Sequence, residues 1–148
     1  MGNQYTVNAG VGVGTNLPLI NLTGSAAIRL RVYEWLMGFS TGPADIATLI
    51  KIVRTTGVGL GGSALTEYKR DPLTVGPTGA AIAGTFTTAP ATGDELMRIA
   101  INQRATHRWI AAEGKELVAA ATADNGIEFL SVSSGGNPTC ELTIYWDE

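Results

Sequence analysis

Few residues of this 148-residue chain carry side chains able to do chemistry, and their spacing decides what that chemistry could be. There is one histidine, His107. A nucleophilic triad or a histidine-based metal site needs carboxylates or further ligands converging on it. The neighbours of His107 in sequence are Arg104, Arg108 and Trp109, so it reads as a structural or interface histidine. Asp94/Glu95 and Glu113/Glu116 could work as paired general acid and base only if held about 5–10 Å apart across a cleft. Flanking Gly93 and Gly114, they read as solvated turns. Asp147-Glu148 offers a cation two carboxylates without further oxygen ligands, a weak signal. The glycine runs at 10–14 and 57–62 lack both the dinucleotide spacing and the Gly-Lys-Ser/Thr ending of a phosphate loop. These residues assign no catalytic, cofactor-binding or metal-ligating position, and the expectation is a protein that is not an enzyme and uses no cofactor.

The bulk numbers narrow the partners. Charged residues make up 16% of the chain against about 25% in an average soluble protein. A surface so poor in charge is expected to be covered in part by copies of the chain or by a partner, although Thr, Ser and Asn also supply polarity. The net charge is −3 and the isoelectric point near 5.1, with no basic stripe. Arg29/Arg31 and Arg104/Arg108 are separated by apolar residues and offset by Glu34 and Glu113, so nucleic acid is not expected as a partner. No apolar run approaches the roughly 20 residues of a membrane span, and no secretory signal is visible at the N-terminus. The single cysteine, Cys140, sits in an alternating segment and reads as a small core hydrophobe in a reducing compartment.

The elements that would position these residues are strands. Ile28, Leu30 and Val32 alternate with Arg29, Arg31 and Tyr33, which places the first set inward and the arginines outward. Residues 46–55 fit helical spacing at Ile46, Leu49, Ile50 and Val53, but β-branched residues dominate and favour a strand over 48–55. Further strands are expected at 80–88, 95–101, 106–111, 126–133 and 139–146, punctuated by Pro90, Gly93, Gly114, Asn125-Gly126 and Gly135-Gly136. Residues 57–79 form a long surface excursion, a length that is usually functional or disordered. Residues 1–24, rich in Gly, Asn and Thr, read as an extended N-terminal arm that packs against another subunit. Residues 25–148 then form one all-β domain, an antiparallel β-sandwich of about eight strands that best suits a jelly roll. Trp35, Trp109 and Trp146 are its expected core or interface anchors.

Several segments carry a resemblance. They are Arg29-Leu30-Arg31-Val32-Tyr33-Glu34, Gly38-Phe39-Ser40 leading into Pro43-Ala44-Asp45, and above all Asn102-Gln103-Arg104-Ala105-Thr106-His107-Arg108-Trp109-Ile110-Ala111-Ala112. Gly114-Lys115-Glu116-Leu117-Val118, Ala123-Asp124-Asn125-Gly126-Ile127 and Ile144-Tyr145-Trp146-Asp147-Glu148 complete the set. Over residues 28–45 and 99–148 the chain resembles a family of small structural proteins of tailed-bacteriophage virions. The resemblance implies a non-enzymatic capsid decoration or cement protein, made in the host cytoplasm and located on the capsid surface. Its implied partners are the major capsid protein and itself, as a homotrimer. The alternative within the same setting is a virion binding module: a head-fibre base, a tail component or a host-glycan binder. The family has no catalytic residues to carry over.

Overall fold

A computed structural model describes residues 2–77, 79–83 and 86–148, and among them there is no helix. The chain runs through β1 (Gln4–Gly12), β2 (Leu17–Thr23), β3 (Arg31–Ser40) and β4 (Ala47–Thr55). Three short strands come next: β5 (Ser63–Ala64), β6 (Tyr68–Lys69) and β7 (Ala80–Ala83). The last five are β8 (Thr92–Asn102), β9 (His107–Ile110), β10 (Leu117–Val118), β11 (Gly126–Ser134) and β12 (Thr139–Asp147). They form two antiparallel sheets. The first has the order β10-β3-β12-β1-β6, with β9 also on β3; the second has the order β5-β7-β2-β11-β4-β8.

Strand pairing obeys one rule. β1 pairs with β12, β2 with β11, β3 with β9 and β10, and β4 with β8. The chain is thus a long antiparallel hairpin rolled up so that β1 to β4 alternate between the sheets and β8, β9, β11 and β12 return beside them, which is the jelly roll. β5, β6 and β7 are an insertion between β4 and β8.

The expected N-terminal arm is corrected by the structure. Residues 4–23 contain two strands of the sandwich, and Tyr5, Val7, Leu19, Ile20 and Leu22 are among its most buried side chains. Tyr5, Val7, Ala9, Val11 and Val13 alternate inward, while Thr6, Asn8, Gly10 and Gly12 occupy the other face. The glycines that suggested an arm therefore lie on the outward positions of a core strand. Register with β12 is continuous from Gln4↔Asp147 to Gly12↔Thr139.

Elsewhere the alternation holds with local shifts. Residues 47–55 are a strand, and no helix forms there. Leu30 and Val32 are buried and Ile28 is half-buried; Arg29 is exposed and Arg31 is half-buried beside Asp147, so the arginines do lie outward. A bulge opposite Tyr145/Trp146 then shifts the phase of β3, and Trp35 and Met37 become the next inward residues. Trp35 meets Phe129 of the other sheet edge-on at 5.9 Å, and Trp146 packs on Tyr5 at 5.7 Å. The segment expected as a strand over 80–88 ends at Ala83; Gly84 and Thr85 lie outside the described residues, as do Met1 and Thr78.

The insertion touches both sheets. Residues 56–62 leave β4 and cross the outer face of the second sheet, because Asn21 of β2 reaches Gly57 O at 3.5 Å with β11 lying between. Residues 86–91 return alongside them: Leu60 N donates to Thr88 O (2.9 Å), Thr87 N to Leu60 O (2.8 Å) and Thr56 N to Ala91 O (2.8 Å). This two-stranded strap must be thin. Gly59 and Gly61 have φ of +74° and +84°, and a Cβ at either would stand under 3 Å from residues of the return segment. The middle of the insertion instead reaches the first sheet, where β6 pairs with β1.

Candidate interaction surface

Of the groups that could have done chemistry, Asp94 and Glu95 are held in ion pairs, whereas Glu113, Glu116 and Asp147 are brought to one depression. Glu95 is gripped by Arg98 (2.8 and 2.9 Å) and Lys51 (3.2 Å), and the Arg98 hydrogen bonds lead in holding its carboxyl down at about 2. Such a group is a poor proton donor. Its neighbour Asp94 pairs with Arg54 at 3.2 Å. Glu116 accepts from the Gly114 amide at 3.1 Å, and hydrogen bonds from its own amide and that of Gly114 lower its carboxyl. It shares a depression of about 710 Å³ with Glu113, Asp147 and Arg31. Within it Arg31 already binds Asp147 through two hydrogen bonds of 2.8 and 3.3 Å. Among the described residues no three His, Cys, Asp or Glu side chains are grouped to hold a metal. His107 packs against Trp35 with the rings tilted and their centroids 5.1 Å apart, and Trp35 also stacks on Trp109 at 6.4 Å. The histidine is thus part of the aromatic packing between β3 and β9. Cys140 is buried, and burial aided by the charge of Glu141 pushes its thiol up to about 12, so it stays an inert core residue. No helix among the described residues is long and apolar enough to cross a membrane.

The glycine runs also resolve into structure: Gly10 and Gly12 belong to β1, and 57–62 to the strap. Gln103, in the middle of the distinctive Asn-Gln-Arg-Ala-Thr run, is a buried clamp. Its Nε2 donates to Gly135 O (2.7 Å), Thr48 Oγ1 (3.1 Å) and Ser134 Oγ (3.1 Å), and its Oε1 accepts from Ala44 N (3.0 Å). Asn102 closes the adjoining turn through Arg104 N and Asp45. Arg104 is exposed at that turn, and Arg108 lies against Glu34 at 2.6 Å.

Among the described residues six large hydrophobic side chains are exposed; Ile46 and Ile110 lie outside the insertion, and the other four lie within it. Of the large hydrophobic side chains left exposed, Leu60, Tyr68, Leu73 and Val75 all belong to the insertion, and Leu73 is 94% exposed. Isolated exposed hydrophobics need no explanation, but a cluster does. Tyr68, Leu73 and Val75 stand on a well-fastened base. Tyr68 and Lys69 pair with Thr6 and Tyr5, Arg70 N donates to Gln4 O (3.0 Å), and Tyr5 Oη donates to Val75 O (3.0 Å). The Arg70 guanidinium donates to Tyr33 Oη (3.0 Å) and lies 5.0 Å over the Tyr145 ring. Asp71 Oδ1 accepts from Leu73 N (2.9 Å), and Asp71 O accepts from Thr74 N and Oγ1, which closes the turn at its tip. A turn held at both feet loses little conformational entropy when its tip is covered. Sequence reasoning singled out 57–79 as an excursion but did not single out Tyr68, Leu73 and Val75. Tyr68 stands inside the charged run from Glu67 to Asp71, and Leu73 and Val75 follow it directly, so no apolar pattern marked them.

No family model, no curated protein and no solved structure matches the chain.

Proposed function

We propose that this chain is a non-enzymatic structural protein of a tailed-bacteriophage virion that binds the outside of the capsid as a decoration or cement protein. The observation behind it is the fastened apolar tip of the insertion, with Tyr68, Leu73 and Val75 exposed over the first sheet. Large exposed apolar groups on a pre-ordered turn suit a partner that buries them. The resemblance of residues 28–45 and 99–148 to virion proteins supplies the setting, and the low charge of the chain is in keeping with it. The partner in this reading is the major capsid protein, with the chain itself as a homotrimer.

Purified protein mixed with heads assembled without it should sediment with them at a fixed ratio to the major capsid protein. Leu73→Asp and Val75→Asp together should abolish that association while leaving the isolated protein folded. Wild-type protein that stays in the supernatant at every concentration would sink the reading. Retention on host glycans instead of heads would favour the binding module.

A further inference from the structure

We propose that Glu128 is a proton-gated latch for the strap: with its carboxyl protonated, residues 56–62 and 86–91 lie closed over the second sheet, and loss of that proton opens them. On β11, Ile127 and Phe129 point into the core, so Glu128 points to the outer face of the sheet. A glutamate there should be wet, yet it is 1% exposed. Its partners across the ladders are Asn21 of β2 and Val53 of β4, both also buried. Thr55 Oγ1 donates to Asn21 Oδ1 at 3.1 Å, over the side-chain-free Gly126, and Asn21 Nδ2 turns to Gly57 O of the strap. The strap is therefore what lies over this face. Both carboxyl oxygens of Glu128 are without a hydrogen-bond partner.

Among the described residues no charge rescues it. β2, β7, β11 beyond Glu128 itself, and both segments of the strap contain no ionisable side chain. β4 contributes Lys51 and Arg54. Lys51 binds Glu95 on β8, and Arg54 faces the other way, donating to Val118 O (2.9 Å) and Asp94. Of the remaining charges on β8, Arg98 is held by Glu95. Burial alone accordingly pushes the Glu128 carboxyl up to about 7. A carboxylate in that place would have neither water nor a donor, and lifting the strap supplies water directly, the proton passing to solvent as it opens.

Amide hydrogen exchange of the wild-type and Glu128→Gln chains, corrected for intrinsic rates, tests this across about pH 4 to 8. In the wild type, protection of the Leu60, Thr87 and Thr88 amides should fall by up to about tenfold for each pH unit between about 4.5 and 7, the increment of a single ionisation, and level off above about 7. In Glu128→Gln it should stay level. Level protection in the wild type, or an equal fall in the variant, overturns the proposal. Should Glu128→Gln fail to fold, the wild-type carboxyl ¹³C titration decides. A midpoint near neutrality with strap resonances moving in step supports the latch, whereas a midpoint in the ordinary carboxylate range overturns it.

Discussion

Gln103 and Glu128 are both 1% exposed and both meet β11, but the molecule treats them in opposite ways. Gln103 spends its whole amide on Ala44, Thr48, Ser134 and Gly135, drawing together the loops that come after β3, β8 and β11. Glu128, six residues before Ser134 on the same strand, makes no hydrogen bond at either oxygen. Burial by itself therefore says little about whether a polar group stabilises a fold. What decides is whether the cover brings partners. The surrounding loops and β4 supply them to Gln103, and the strap, whose paired donors serve its own two segments, supplies none to Glu128.

The largest effect is expected at Gln103. Gln103→Leu orphans the Ala44 amide and the Gly135 carbonyl, and at about 1–3 kcal/mol for each buried unsatisfied group we expect a loss of roughly 3–5 kcal/mol in urea denaturation. A loss under about 1 kcal/mol would mean that water replaces the side chain there.

At Glu128 the expected sign is reversed and depends on pH. The folded carboxyl titrates at about 7 instead of the ordinary 4.5. Its raised value means that the stability it permits is complete below pH 4.5 and is lost as pH rises through about 7. At about 1.4 kcal/mol per pH unit, Glu128→Gln should be more stable than wild type by about 3 kcal/mol at pH 8.5, and by almost nothing at pH 4.5. If the strap opens before the domain unfolds, the gain at pH 8.5 will be smaller, and the shortfall measures how much harder ionisation is than opening. A variant no more stable at pH 8.5 than at pH 4.5 would remove the contrast with Gln103.

The two sites lie about 20 Å apart along β11 at some 3.3 Å per residue, and they share no partner. The double variant should therefore equal the sum of the single changes within about 0.5 kcal/mol. A larger coupling would show that the strap and the loop clamp act as one unit. Smallest of all is Leu73→Asp, expected to change the stability of the isolated chain by less than about 0.5 kcal/mol, since this side chain touches water and not the core. A strong destabilisation there would place the tip in the fold rather than on its surface.

How much of this was legible in the sequence depends on what sets each feature. β8, β11 and β12 announce themselves because their inward residues alternate and glycine or proline bounds them. β1 carries the same alternation from Tyr5 to Val13, but outward Gly10 and Gly12 lower its strand character and suggested an arm. Local propensity was the weaker guide, and pairing with β12 settled the matter. Val32 and Trp35 share a face only because of a bulge, and a two-residue period cannot foresee one. Gln103 stands in a polar turn and gives no sign of burial, since its partners come from distant parts of the chain. The alternation around Glu128 marks it as outward-facing, correctly, but nothing in residues 57–62 tells that they will lie across it. The apolar tip escaped notice because Leu73 and Val75 are too few to register as a pattern.

The rolled hairpin also constrains when the first sheet can close. β12 lies between β3 and β1, so these two strands have no common neighbour until residues 139–147 have been synthesised. Without β12, β1 and β3 would each present an unpaired edge where β12 belongs. Such edges invite pairing with other chains, and pairings so distant in sequence form slowly. Final closure of the first sheet therefore waits on the last strand, and the vulnerable interval ends when β12 enters the gap.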